Sequence, residues 1–192
     1  MTEPVEEALR RELERLPEEV RAHVERVLDQ ALRLAARHGV DASKVRPAVL
    51  GHDLMRVTPR EELLRMAGER GIEPNEAEHA EPLLLHGRVA AALLRERFGV
   101  DDAEVLNAVR YHTTGRAGMS DVEKVVFLAD KTEPDGLAHH PEWREVRALA
   151  QDDLDAAMLR ALELYLERAN REGWSVHPDV AAAQEYFREH GA

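Results

Sequence analysis

The sequence predicts an all-α fold, a single helical bundle, and three observations carry that expectation. Apolar residues recur at helical spacing between Gly and Pro punctuation, and no stretch alternates with a period of two above noise. Hydrophobic residues make up 44% of the chain but aromatics only 4%, so the core must be aliphatic, a composition that favours helix over strand. At 192 residues there is room for one substantial core, and no internal repeat or low-complexity linker divides residues 1–192.

The elements follow in order. Pro4 to Leu16 is amphipathic and stops at Pro17, which opens a second helix to His38, with Val20, Val24, Val27, Ala31 and Leu34 on one stripe and Gly39 as its stop. A third helix spans about Ala42 to Asp53. Thr58-Pro59 reads as N-cap and first helical residue of a short helix to Gly71. After a turn to Asn75, one helix runs through Glu81 to Phe98 and ends at Gly99. The next is capped by Asp101 or Asp102 and reaches His112, and Thr113 to Met119 is a polar loop. Ser120-Asp121-Val122-Glu123 is a capping box opening a helix to about Glu133, which Pro134-Asp135-Gly136 breaks. Helices at about 141–170, with a break near Gln151-Asp152, and 178–190 complete the chain.

Charge and composition exclude several classes. A net charge of -12 argues against binding a nucleic-acid polymer, which attracts basic stripes, though not against a nucleotide accompanied by cations. With no Cys there is no disulfide framework and no thiolate metal site. The charged N-terminal stretch has no apolar signal core and no run reaches membrane-spanning length, so a cytoplasmic protein without membrane association is expected.

Ten histidines stand in the chain, and their positions differ in kind. His38, His139, His140, His177 and His190 fall in loops or near helix ends, where a surface or helix-dipole role is expected. His23 lies toward an apolar helix side, His52-Asp53 ends a buried helix, and His86 follows Leu83-Leu84-Leu85. His112 closes the stripe Val105, Leu106, Ala108 and Val109, and Asp130 closes Val125 to Ala129. Taken singly, each has a bland reading as a hydrogen-bonded core group, a cap or half an ion pair. Jointly they would bury six ionisable groups at several kcal/mol each if unpaired, and a shared divalent metal would satisfy them together. Imidazole and carboxylate ligation admits iron, manganese or zinc.

The order His, His-Asp, His, His, Asp resembles the HD-domain metallophosphohydrolases. Leu85-His86-Gly87, Tyr111-His112-Thr113-Thr114-Gly115, Met119-Ser120, Leu128 to Pro134 and the tail Gly173 to Pro178 are similar to its YqeK branch, over roughly residues 17–187. The resemblance implies a metal-binding core at about 17–135, with helices at 141–190 packing on it. It implies a binuclear centre, iron in the first instance, in which His23, His52 and Asp130 hold one ion, His86 and His112 the other, and Asp53 bridges. It also implies symmetrical hydrolysis of diadenosine tetraphosphate to two ADP.

Lys131, next to a ligand, and Arg56 are expected to meet phosphate charge beside the catalytic Asp53, with Arg88, Thr113 and Thr114 as further substrate contacts. Arg56 stands where the family often has Lys, and Gly136 replaces an expected Arg, departures that bear on substrate grip. Another nucleotide substrate, or a non-catalytic nucleotide-binding module, would fit the same residues. Tyr111, Phe127, Trp143 and Trp174 are candidates for base stacking, and the oligomeric state is open, a homodimer included.

Overall fold

The computed structural model describes residues 4–191; Met1 to Glu3 and Ala192 lie outside the described residues. The early helices are α1 (Val5–Leu13), α2 (Glu18–His38), α3 (Ala42–His52) and α4 (Arg60–Glu69). α5 (Glu76–Ala80) precedes a 3-10 turn, Pro82–Leu85, which runs directly into α6 (His86–Phe98). α7 (Ala103–Tyr111), α8 (Asp121–Thr132), α9 (Pro134–His139), α10 (Arg144–Leu149), α11 (Leu154–Glu172) and α12 (Pro178–His190) follow. The described residues contain no strand, as expected, and no helix of theirs is long and apolar enough to cross a membrane.

α2 shows how sequence sets placement. Val24, Val27, Ala31 and Leu34 are buried on its inward stripe, and Gly39 ends it with φ 68°, a conformation that costs a glycine little. That stripe packs on α3 and α8, which leaves His23 and Arg26 together on a flank that faces a cavity. α3, α7 and α8 lie against one another, and α10 and α11 pack on α8, so one apolar cluster runs from Leu9 of α1 to Phe187 of α12. A smaller cluster, Leu63, Ala67, Leu85, Val89 and Leu93, seats α4 on α6.

Local structure departs from expectation at four places. The helix expected through Glu81 to Phe98 is divided. Asn75 and Glu78 form a capping box that starts the extra helix α5, and Pro82 begins the 3-10 turn ahead of His86. α8 ends at Thr132 just before Pro134, as expected, but Pro134 also opens the extra helix α9, because the Glu133 carboxylate accepts the Asp135 and Gly136 amides and caps it. Pro59, not Thr58, is the N-cap of α4, and the Thr58 hydroxyl donates to Met55 Sδ instead. His177 is buried at 4% exposure, not at the surface, because it caps α12 and meets the buried Glu78. The break near Gln151 falls where expected, with Asp153 capping α11.

Candidate metal centre

The six polar groups singled out in the sequence converge. His52, Asp53, His86 and His112 are buried at 5% exposure or less, while the side chains of Asp130 and His23 are 11% and 24% exposed toward a cavity of about 890 Å³. The cluster is organised around the two oxygens of Asp53. Its Oδ2 lies 3.6 Å from His23 Nε2 and 3.7 Å from His52 Nε2. Its Oδ1 lies 3.2 Å from His86 Nε2 and 3.6 Å from His112 Nε2. Asp130 Oδ1 sits 3.0 Å from His23 Nε2 and 3.8 Å from His52 Nε2.

Three of the imidazoles are held the same way. Nδ1 of His52, His86 and His112 donates to the carbonyl three residues earlier, of Val49 at 2.7 Å, Leu83 at 2.6 Å and Val109 at 2.8 Å. With the proton at Nδ1, each Nε2 presents a lone pair to the centre, which is the tautomer a metal ligand needs. His23 is held differently: Nδ1 lies 3.6 Å from the Glu133 carboxylate, which also accepts Arg26 Nε at 2.7 Å.

The electrostatics favour acceptors. Burial pushes the Asp53 carboxyl up, but the His52, His112 and His86 imidazoles together hold it well below the carboxylate range. Asp130 behaves likewise, burial being outweighed by the Lys131 ammonium, whose Nζ is 2.7 Å from Oδ2, and by His23. His112 is driven down to about 4, by burial first and by neighbouring imidazoles second, so it is neutral at pH 7. His23 moves the other way: burial lowers it, but the hydrogen bond to Asp130 and the surrounding carboxylates raise it.

His52 Nε2 tests whether a cation fits. It is fully buried, has no hydrogen-bond partner and is aimed at two ionised carboxylates, an arrangement that is costly unless something positive sits between them. His23, His52 and Asp130 can share one ion, and His52, Asp53 and His112 another, with all donor atoms of each group within 4.8 Å of one another. His86 Nε2, at 2.9 Å from His112 Nε2, is close enough to join the second group.

The expected substrate contacts divide. Lys131, Arg56 and Thr113 line the cavity, Arg56 exposed and Thr113 Oγ1 3.1 Å from His112 Nε2. Thr114 is buried and its hydroxyl donates to the Gly115 carbonyl. Arg88 is not brought to the cluster. Its guanidinium is captured by buried Glu78 at 2.6 Å and by the Glu73 carbonyl, on a separate cavity of about 620 Å³. Sequence reasoning missed Arg26 and gave Glu133 only as a helix end within the Leu128 to Pro134 stretch; Arg26 lies three residues from His23 on the same helix face, and that spacing was the available signal.

Residues 20–135 match the family described as HD domain. The chain belongs to the HD-domain family. Among its relatives, a symmetrical bis(5'-nucleosyl)-tetraphosphatase of Bacillus subtilis is 34% identical over 91% of this chain and 92% of its own length. A protein of the same description from Staphylococcus aureus is 35% identical over 68% of this chain and 66% of its own. A crystal structure from Clostridium acetobutylicum, described as an HD superfamily hydrolase involved in NAD metabolism, superposes with a TM-score of 0.87. It is 31% identical, with 95% of this chain and 96% of that one covered.

Proposed function

We propose that this chain is a metal-dependent phosphoanhydride hydrolase that cleaves diadenosine tetraphosphate symmetrically to two ADP. The observation that carries the reading is the division of labour at Asp53, whose two oxygens face different pairs of imidazoles. That is the donor pattern of a bridging carboxylate between two cations. The B. subtilis and S. aureus relatives supply the substrate and the position of cleavage.

In this reading His23, His52 and Asp130 would hold one divalent ion and His86 and His112 the other, with a carboxylate oxygen of Asp53 available to each group. Bound ions would supply Lewis acidity toward phosphoryl oxygens and an acidified water for in-line attack. We take the pair to be iron, with manganese or zinc accepted by the same donors. The protein's own part is orientation. Carbonyls fix three imidazoles, and Glu133 and Arg26 brace His23. Lys131 and Arg56 bring positive charge to the side of the cavity where a polyphosphate bridge must lie. Gly136, in the place of an expected Arg, also lines the cavity, and Arg26 reaches the adjoining Asp135 at 3.3 Å.

The test is a substrate panel of mono-, cyclic and dinucleotides, read by product identity on metal-loaded protein. ADP as sole product from diadenosine tetraphosphate is expected; AMP with ATP, or released inorganic phosphate, would overturn the assignment. His52→Ala and Asp53→Ala should abolish hydrolysis as metal content falls, and full activity in either sinks the mechanism. A second reading is turnover of an NAD-related nucleotide. It is favoured by the description of the C. acetobutylicum structure and by Mycoplasma genitalium, where the related segment belongs to a probable nicotinate-nucleotide adenylyltransferase/Ap4A hydrolase. The same panel decides between them.

A further inference from the structure

The chain has two Trp, three Tyr and three Phe, and both Trp residues line the same cavity as the donor cluster, together with Tyr165. Four aromatics were open as base-stacking candidates from sequence, and the structure separates them. Phe127 is a core residue at 2% exposure. Tyr111 belongs to the other cavity and lies beneath the Arg110 and Arg116 guanidiniums. Trp143 and Trp174 remain.

Trp174 follows Gly173, the left-handed cap of α11, and so turns out of the helix at the point where the chain reverses. Its side chain is left 46% exposed, one of few large hydrophobics so placed. The Arg168 guanidinium lies over the ring at 5.0 Å from its centroid. A cavity of about 890 Å³ is far larger than a phosphate group needs and falls within the range of ligand pockets that take drug-sized molecules. The candidate metal ligands come from α2, α3, α6, α8 and the end of α7; from α11 and the segments flanking it the cavity takes both indoles and the Arg168 and Arg171 guanidiniums, with Glu142 and Glu167 among them. That second group has the chemistry of a base platform, a flat π-face with a cation beside it.

We propose that Trp174, assisted by Trp143, stacks a purine base of the nucleotide and thereby sets preference for purine over pyrimidine substrates. This rests on the nucleotide reading above but not on the identity of the reaction. Trp174 would act on affinity, while the donor cluster acts on turnover. Stacking a base on an aromatic side chain contributes about 1–3 kcal/mol, so its loss should weaken binding about 5- to 150-fold.

The experiment titrates metal-loaded full-length protein with ADP, UDP and tripolyphosphate by calorimetry, with intrinsic fluorescence recorded in parallel. Both tryptophans border the cavity, so emission reports on its occupancy. ADP should quench it and tripolyphosphate should not. Trp174→Ala should lose ADP affinity by the factor above, lose the ADP-over-UDP preference and bind tripolyphosphate as before. Trp174→Phe should recover part of the ADP affinity. Unchanged ADP affinity in Trp174→Ala, or an equal loss for ADP and tripolyphosphate, would overturn the proposal. A loss in Trp143→Ala with none in Trp174→Ala would likewise refute the assignment to Trp174. If ADP stacks but diadenosine tetraphosphate is not cleaved, the stacking inference stands and the reaction assigned above fails; the converse pattern fails only the inference.

Discussion

Gly87 offers a sharp test of the packing behind the donor cluster. It stands in α6 between His86 and Arg88. A Cβ added there would meet the Val109 carbonyl oxygen at 2.8 Å, the Arg110 carbonyl oxygen at 3.0 Å and His112 Cε1 at 3.2 Å. Helix propensity alone predicts that Gly87→Ala stabilises the protein by about 0.5–1 kcal/mol. The structure predicts the opposite sign. Two of the obstructing atoms are backbone oxygens, which cannot swing aside, so α6 and α7 must separate by some tenths of an ångström. Overpacking of that kind costs about 1–3 kcal/mol, leaving a net loss of about 1–2 kcal/mol and a Tm roughly 2–8 °C lower.

The same displacement parts His86 from His112, whose Nε2 atoms now lie 2.9 Å apart, so the rise in Tm on adding metal should also shrink. Gly68 is the control. It is within α4 at a helical φ, and an added Cβ there meets nothing within 4 Å, so Gly68→Ala should be neutral or stabilising by up to about 0.5 kcal/mol. Urea midpoints and Tm, each with chelator and with metal, measure both effects. If Gly87→Ala proves as stable as the parent, or the two variants shift in the same direction, the packing argument is wrong.

Three further outcomes follow. Glu78 is pushed up by burial, but the nearby His177 imidazole at 3.6 Å and its bonds from Arg88 and the Asn75 amide outweigh this and hold it at about 2 against an ordinary 4.5; the stabilisation is therefore complete above pH 4.5 and lost as pH falls toward 2, and Glu78→Gln should flatten the acid limb of an unfolding-versus-pH curve by about 2–3 kcal/mol, parallel curves counting against it. His177→Ala removes one of those partners and a helix cap, so chemical denaturation should show a loss of about 1–3 kcal/mol, whereas a surface histidine would show none. Lys131→Met takes the ammonium from Asp130 Oδ2, and steady-state kinetics with metal analysis should show activity or metal affinity reduced about 10- to 100-fold, an unaltered enzyme refuting its role.

The helical architecture and the six-residue cluster were legible because each rests on local pattern. His23, His52, His86, His112 and Asp130 interrupt or close apolar runs, and burial along those runs fixes which way each must point. What was not legible depends on partners distant in sequence. His177 reads as a loop residue until α5 brings Glu78 to within 3.6 Å of it, a pairing across about a hundred positions with no periodic trace. Arg88 reads as a phosphate contact by its nearness to His86, yet Glu78, reached through the Asn75 capping box, claims it. Pro134 has two local meanings, helix breaker and first residue of a helix. Both are realised, α8 stopping before it and α9 starting on it, and the second depends on the Glu133 carboxylate, which Arg26 and two backbone amides hold in place.

The way the imidazoles are oriented explains why the cluster sits at helix ends. Carbonyls in the last turn of a helix lack an amide partner four residues on, and a buried one must find a donor. His52 closes α3 and His112 follows α7, and each returns its Nδ1–H to such a carbonyl, of Val49 and Val109. One hydrogen bond thus satisfies an orphaned acceptor, fixes the ring and leaves Nε2 as the nitrogen directed beyond the helix end. His86 gains the same geometry from the 3-10 turn, whose Leu83 carbonyl accepts its Nδ1–H. A mid-helix histidine has no comparable device. His23, within α2, lacks it, and its Nδ1 instead faces Glu133 at 3.6 Å, with Arg26 bracing that carboxylate. The two halves of the cluster are therefore built by different means: backbone carbonyls orient the rings of His52, His86 and His112, and a side-chain ion pair braces His23. Ring orientation should accordingly withstand side-chain substitution at the first three and fail at His23 when Glu133 or Arg26 is removed.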